Sequence, residues 1–295
     1  MTEPCLHCGR KSKPLFLAKD WNRRITEARF AYHRCPGCGL VFLRPVPENL
    51  GDYYPPDYYP VPGSLAELET ASTNERFKLD LITPFVRSGR LLEVGPAFGN
   101  FAYLAKRSGF EVEVVEMDAR CCGFLREVAG VTAIHSDDAA RAVEDRAPYD
   151  VVALWHVIEH LPDFGPVLAA LARKVKPGGI LVLAAPNPEA LQFRLLGRRW
   201  THVDAPRHVA LIPVRLLASH LTGCGFSVAA VTMTDPGGVG WNQFGWQMSL
   251  ANFARGRALR GALLRVGALL SRVMAPLERN DRRGSAYTVV FRKDA

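Results

Sequence analysis

The sequence predicts an α/β fold: a mostly parallel sheet with helices on both faces and an antiparallel last strand, preceded by a small four-cysteine ribbon. Three observations carry this. From residue 90 onward strand-like and helix-like runs alternate, the pattern of strands joined by crossover helices. A glycine-bearing turn, "EVGPAFGNF" (93–101), follows the first of those strands. Two C-x-x-C-G turns, "CLHCG" (5–9) and "CPGCG" (35–39), stand well before it.

Taken in order, residues 1–44 hold the paired cysteines and form one module. Residues 45–74 begin with the Pro/Tyr-rich stretch "RPVPENLGDYYPPDYYPVPGS" (44–64), which has no helical period and reads as an extended linker. The third unit, 75–295, opens with the end of a helical stretch (65–88). "RLLEV" (90–94), "EVEVVE" (111–116), "VTAIH" (131–135), "YDVVALWH" (149–156) and "GILVLAAP" (179–186) read as strands. Between them 99–108, 118–128 and 163–175 read as helices. A loop-rich stretch (187–212) leads to a helix (213–222) and the strand "FSVAAVTM" (226–233). After a Gly-rich break the tail 247–277 is helical, so about 238–283 is a helical insertion before the closing strand "SAYTVVFRK" (285–293).

At 295 residues, 48% hydrophobic and 22% charged, the chain has ample material for a core. Its net charge of +8 is uneven. Residues 1–44 carry nine Lys/Arg against three Asp/Glu and residues 251–295 ten against three, so the middle is mildly acidic. Basic ends suit a phosphate-bearing acceptor or an anionic membrane; solvated arginines explain them equally. The N-terminal "MTEPCLHCGR" lacks the charged-then-apolar layout of a signal peptide, and no apolar run reaches the roughly 18 residues of a membrane span, which points to the cytoplasm.

Four of the seven cysteines form the two knuckles, with 26 residues between Cys8 and Cys35. In a reducing compartment this spacing argues for metal rather than disulfides. Cys5, Cys8, Cys35 and Cys38 suit a closed tetrahedral Zn²⁺ site with a structural role; iron would also accept four thiolates. So small a module has almost no core of its own, and metal would supply much of its folding energy.

The turn at 93–101 lies where open α/β sheets bind ligands. Its spacing departs from the dinucleotide fingerprint, with Gly95 and Gly99 present but Ala97 and Asn100 where glycines would stand. Glu93 at its mouth would repel a diphosphate and suits a cationic ligand. Glu116, 21 residues past Gly95, can accept both hydroxyls of a ribose. An adenosine bearing an α-amino group and a sulfonium fits these electrostatics better than a nicotinamide dinucleotide.

These residues resemble motif I of the class I S-adenosylmethionine-dependent methyltransferases, [DE]-x-G-x-G-x-G, with Ala97 replacing the middle glycine. "VVEMD" (114–118), "HSDDA" (135–139), "YDVVALWHVIEHLPD" (149–163) and "KPGGILVLAAPN" (176–187) resemble the family's later segments in the right order. The resemblance implies a Rossmann-like sheet and S-adenosyl-L-methionine as cofactor. Glu93, Gly95, Pro96 and Gly99 would then form the cofactor loop, Glu116 and Met117 would meet the ribose, and Asp137 the adenine amino group. His156, after the fourth strand, would lie near the sulfonium.

Methyl transfer from a sulfonium is an in-line displacement whose main demand is alignment. His156 and His208 are the candidate bases, with His160 a structural residue one turn on. "LWHV" (154–157) lacks the [DN]-P-P-[YF] run of nucleobase-amine enzymes. The loop "GRRWTHVDAPRHVALIP" (197–213), with Trp200, His202, Asp204, Arg207 and His208, offers a polar and aromatic acceptor surface. In the tail, Leu259, Leu263, Val266, Leu270 and Val273 form one stripe with arginines beside it. Packing against the protein's own sheet or cysteine module is the expected fate of this stripe; peripheral membrane contact and a dimer face are the alternatives.

A four-cysteine module before such a domain looks like bacterial small-molecule methyltransferases of polysaccharide or secondary-metabolite pathways. A small-molecule acceptor is therefore the first expectation. The alternatives are a zinc-containing RNA methyltransferase, whose nucleic-acid partner would meet the basic ends, and a catalytically silent zinc-ribbon interaction protein. Oligomeric state has no signal in the sequence.

Overall fold

The computed structural model describes residues 3–55, 58, 61–279 and 283–295. Positions 56, 57, 59 and 60 of the Pro/Tyr-rich stretch, and 280–282 at the end of the tail insertion, lie outside the described residues.

In chain order the strands are β1 (Lys13–Ala18), β2 (Phe30–Arg34), β3 (Val41–Leu43), β4 (Gly89–Val94), β5 (Phe110–Glu116), β6 (Thr132–His135), β7 (Tyr149–Trp155), β8 (Val175–Pro186), β9 (Ala210–Leu211), β10 (Phe226–Thr232) and β11 (Ala286–Lys293). The helices are α1 (Leu65–Thr73), α2 (Arg76–Ile82), α3 (Asn100–Arg107), α4 (Ala119–Glu127), α5 (Ala139–Ala142), α6 (Phe164–Arg173), α7 (Leu191–Leu196), α8 (Val214–Thr222), α9 (Pro236–Ala251) and α10 (Arg257–Glu278).

Seven strands form the main sheet in the order β10-β11-β8-β7-β4-β5-β6, with β11 antiparallel to both neighbours. The five strands from β8 to β6 pair in parallel. Side chains alternate between the faces: Leu92, Val94, Val152 and Leu154 enter one core, Leu91, Val151 and Ala153 the other. Two buried faces explain why these strands read as near-continuous apolar runs. Strand order reverses at β4 and β7, so the loops leaving their carboxyl ends diverge and open a crevice.

The cysteine module forms a second sheet, β1-β2-β3-β9, whose last strand comes from the loop after β8. Phe42 pairs with Ala210 and Val41 with Leu211. Cys5, Cys35, Leu40 and Phe42 share one buried cluster with Phe164, Ile212 and Leu216 of the main domain. The module thus takes from its neighbour the core it cannot build alone. Within the stretch read as extended linker, Leu50–Tyr53 close a short 3-10 turn, because the Tyr53 carbonyl is held by Arg207.

The Gly-rich break at the start of the tail insertion is instead a helix start. Asp235 caps α9 by accepting from the Gly238 amide, and Pro236 occupies the first turn, where its missing N–H costs nothing. The tail stripe also differs from its expected fate. α10 docks on α9, not on the sheet or module, leaving Leu259, Val266 and Val273 exposed. The docked side is set by Gly267, where an added Cβ would fall 2.5 Å from the Gln247 Cα. At the far end the buried Glu278 carboxylate accepts from Gln192 and Trp246.

Candidate active site

A cavity of about 1230 Å³ opens at the carboxyl edge of the main sheet. One side is built by the ends of β4, β5 and β6, the other by the segment after β7, the 201–208 loop, α9 and the cysteine module.

On the first side the turn after β4 is shaped by two glycines in the left-handed region. Gly95 (φ 66°) packs so tightly that a Cβ would lie 2.7 Å from Val157, and Gly99 (φ 79°) begins α3 against Leu125. Ala97, between them, also has a positive φ of 51°. Replacing glycine there therefore adds backbone strain as well as a methyl group, since an L residue in this region costs about 1 kcal/mol. Its amide donates to Glu116 Oε2 at 2.9 Å, which holds the strained turn. Glu116 Oε1 accepts from the Asp118 amide at 2.8 Å. Both oxygens keep lone pairs for a diol. Burial raises the Glu116 pKa and these amides oppose the rise.

Glu93 is buried, and its Oε2 has no hydrogen-bond partner. Burial pushes its carboxyl up to about 8, although the Lys78 ammonium pulls the other way. Pro96, Met117 and Asp137 join Glu93, Gly95 and Glu116 in the wall. Gly99 lies just behind it, at the start of α3. A buried acid with one unpaired oxygen beside a diol-accepting carboxylate fits a ligand with a cationic amine and a ribose. Seven of the eight predicted cofactor residues are thus gathered along one edge, and the eighth, His156, stands on the other side of the cavity.

On the second side His156 leaves β7 with φ 57°, a left-handed conformation uncommon outside glycine but more open to histidine than to most side chains. Its Nδ1 lies 3.5 Å from Glu159 Oε1 and its ring stands 4.6 Å from that of Trp241. His160 and His208 stack edge to face, 4.7 Å apart. Burial lowers the pKa of His160 to about 4 and of His202 to about 3, so both are neutral near pH 7. His202, Asp204 and His208 line the cavity. Trp200 is buried behind it, donating from Nε1 to Gln192.

Arg207 lies behind the wall rather than in it. Fully buried, its Nη2 donates to Asp20 and to Asp204, each at 2.7 Å, and its Nη1 to the Tyr53 carbonyl. Asn22 donates to the Thr201 carbonyl, and the Tyr32 hydroxyl to the His208 carbonyl at 2.7 Å. The cysteine module thus braces the 201–208 loop, and its Asn22 and Arg23 reach the cavity itself. Sequence reading missed these residues, together with Tyr54, Glu159 and Trp241. Only the run "HVIEH" (156–160) carried a local signal for Glu159.

The four thiols converge. Cys5 and Cys38 sulfurs are 3.6 Å apart, Cys8 and Cys35 3.5 Å, Cys8 and Cys38 4.0 Å. A tetrahedral zinc with Zn–S of about 2.3 Å has sulfur–sulfur edges of about 3.8 Å, so the donor set fits this ion.

Residues 68–231 match the family model described as "Methyltransferase domain", more than half of the chain. The protein belongs to this methyltransferase family. A ubiquinone biosynthesis O-methyltransferase of Xylella fastidiosa (strain 9a5c) is 29% identical over 125 residues, covering 40% of this chain and 51% of the relative. The chain thus spans about half the length of the curated relatives it matches. Among solved structures, a SAM dependent methyltransferase from Archaeoglobus fulgidus superposes with TM-score 0.50 at 18% identity, over 75% of this chain and 93% of that one. A putative sarcosine dimethylglycine methyltransferase from Galdieria sulphuraria gives TM-score 0.50 at 14% identity, over 78% and 87%. These similarities establish the seven-stranded fold of this methyltransferase. No helix among the described residues is long and apolar enough to cross a membrane.

Proposed function

We propose that this methyltransferase transfers the methyl group of S-adenosyl-L-methionine to a small-molecule acceptor, with a structural zinc on Cys5, Cys8, Cys35 and Cys38. The observation that carries the reading is the pairing, across one cavity, of the Glu93–Glu116 edge with a wall of imidazoles and indole. The cofactor supplies an already activated methyl group on sulfur. Glu116 would take the ribose hydroxyls, Glu93 the amino group, and Asp137 the adenine amine. Trp241, Phe244 and Met248 exclude water from the opposite side. For a hydroxyl acceptor, His156 receives the proton, and Glu159 beside its Nδ1 stabilises the resulting imidazolium. His208, whose Nδ1 donates to the His202 carbonyl at 2.8 Å and leaves Nε2 its lone pair, is the second candidate for this role.

The Glu93 carboxyl gives a proton-linked signature. Its neighbours are Lys78, Glu75 and Glu116. With a pKa near 8 it is mostly protonated at pH 7 in the free protein, and a cationic ligand lowers that pKa. Binding S-adenosylmethionine at pH 7 should therefore release close to one proton per chain. Calorimetry in buffers of differing ionisation enthalpy reads this number, and Glu93→Gln should abolish the release.

The function itself is tested by transfer of label from methyl-labelled S-adenosylmethionine into an extract of the host, followed by fractionation. Ribonuclease-resistant label in the small-molecule fraction supports the proposal. Ribonuclease-sensitive label would make the acceptor RNA, and absence of label in every fraction would remove the activity.

A further inference from the structure

Glu159, in the 3-10 turn after β7, is 1% exposed, yet neither of its carboxylate oxygens has a hydrogen-bond partner. A buried carboxylate left this way is strongly disfavoured unless a cation meets it. The contact that comes closest is His156 Nδ1, 3.5 Å from Oε1 and too long for a good hydrogen bond, while Arg207 spends its guanidinium on Asp20, Asp204 and the Tyr53 carbonyl. Two further imidazoles, His160 and His208, are oriented from behind by backbone carbonyls. His208 Nδ1 meets the His202 carbonyl at 2.8 Å and His160 Nδ1 meets the Arg207 carbonyl at 3.1 Å. A carbonyl only accepts, so Nδ1 of His208 carries the hydrogen and its Nε2 keeps the lone pair; His160 Nδ1 is shared between the Arg207 carbonyl and the Tyr54 hydroxyl at 2.9 Å, and its Nε2 is a ligand in the tautomer in which Nδ1 donates to that carbonyl. Carbonyls that orient imidazoles in this way are typical partners behind metal-bound histidines. Ligand atoms of Glu159, His160 and His208 all lie within 4.8 Å of one another, and all three residues line the cavity.

We propose that Glu159, His160 and His208 bind a divalent first-row cation on the acceptor side of the cavity, separate from the four-cysteine site. One carboxylate and two imidazoles occupy one face of such an ion and leave the face toward the cavity for water or acceptor. The proposal deepens the methyl-transfer reading and rests on it for the acceptor's chemistry, which becomes that of a hydroxyl compound, best one with two adjacent oxygens. The cation takes the acceptor hydroxyl as a ligand and lowers its pKa. The O–H proton passes to His156 and then to water. The oxygen forms its bond to the methyl carbon while the carbon–sulfur bond breaks, and that electron pair returns to sulfur. The products are a methyl ether and S-adenosylhomocysteine. His208 is on this account a ligand and not a base.

The test uses Mn²⁺ as the probe, because four thiolates favour zinc over this harder ion. Full-length protein, stripped with a mild oxygen-donor chelator that leaves the cysteine metal in place, is titrated with Mn²⁺ and the free ion read by electron paramagnetic resonance. The expected result is one Mn²⁺ per chain, weakened at least about 100-fold in Glu159→Gln and in His208→Ala. Either variant serves if the other fails to fold, judged by its melting transition. No Mn²⁺ bound to the wild type, or the same affinity in a folded variant, overturns the site. S-adenosylhomocysteine binding, measured in parallel, separates the two readings. Mn²⁺ bound without nucleoside binding would leave the cation site standing and sink the methyl-transfer reading; nucleoside binding without Mn²⁺ would do the reverse.

Discussion

Arg207→Ala should destabilise the protein by about 3–5 kcal/mol, the cost of leaving buried carboxylates without their cation. The guanidinium and the Asp20 side chain are both fully buried, and Asp204 is nearly so. Burial disfavours charge on Asp204, yet Arg207 holds its pKa down to about 2. Removing the arginine frees the Asp20 turn, the Tyr53 carbonyl and the 201–208 loop together. For a chain of this size the loss corresponds to a fall in melting temperature of roughly 6–15 °C. Burial also shields these pairs from salt, so the difference should persist at 1 M NaCl. Arg207→Lys should recover little, because one ammonium cannot reach Asp20, Asp204 and Tyr53 at once. A loss below about 1 kcal/mol would show that the arginine is not the clasp described.

Cys35→Ser should separate the two sides of the cavity. Cys35 is buried in the cluster shared with Phe164 and Leu216, and losing one of the four thiolates proposed to hold zinc would remove a large part of the binding energy that folds such modules. The β1-β2-β3-β9 sheet then loosens, and with it the hold of Tyr32 on His208 and of Asn22 on Thr201. Glu93, Glu116 and the turn between Gly95 and Gly99 depend on β4, β5 and α3 instead. The expected result is S-adenosylhomocysteine affinity within about threefold of wild type while methyl transfer falls at least about 100-fold. Transfer at the wild-type rate would show that the cysteine module has no part in the acceptor wall.

The cofactor edge was legible in the sequence because its parts are local. Strand, turn and helix follow one another between residues 89 and 107, and Glu116 ends the adjacent strand. The knuckles were legible for the same reason. The acceptor wall was not, since its bracing contacts join residues remote in sequence, such as Asp20 with Arg207 and Tyr32 with His208. β9 is only two residues long and exists through its pairing with β3, so no periodicity announces it. α9 was hidden because "DPGGVG" (235–240) carries the residues of a turn, while Asp235 and Pro236 serve as its cap and first turn. The tail stripe was identified correctly as apolar, but periodicity could not say that close backbone contact at Gly267 would decide the docked side.

Titration of the protein with S-adenosylmethionine, compared with Glu116→Ala, tests the central claim most directly. Both Glu116 oxygens are fixed by backbone amides from Ala97 and Asp118, and their remaining lone pairs are assigned to the ribose. The account predicts one molecule bound per chain and at least tenfold weaker binding in the variant, about 1.4 kcal/mol or more. Absence of binding to the wild type, or equal affinity in a folded Glu116→Ala, would contradict it.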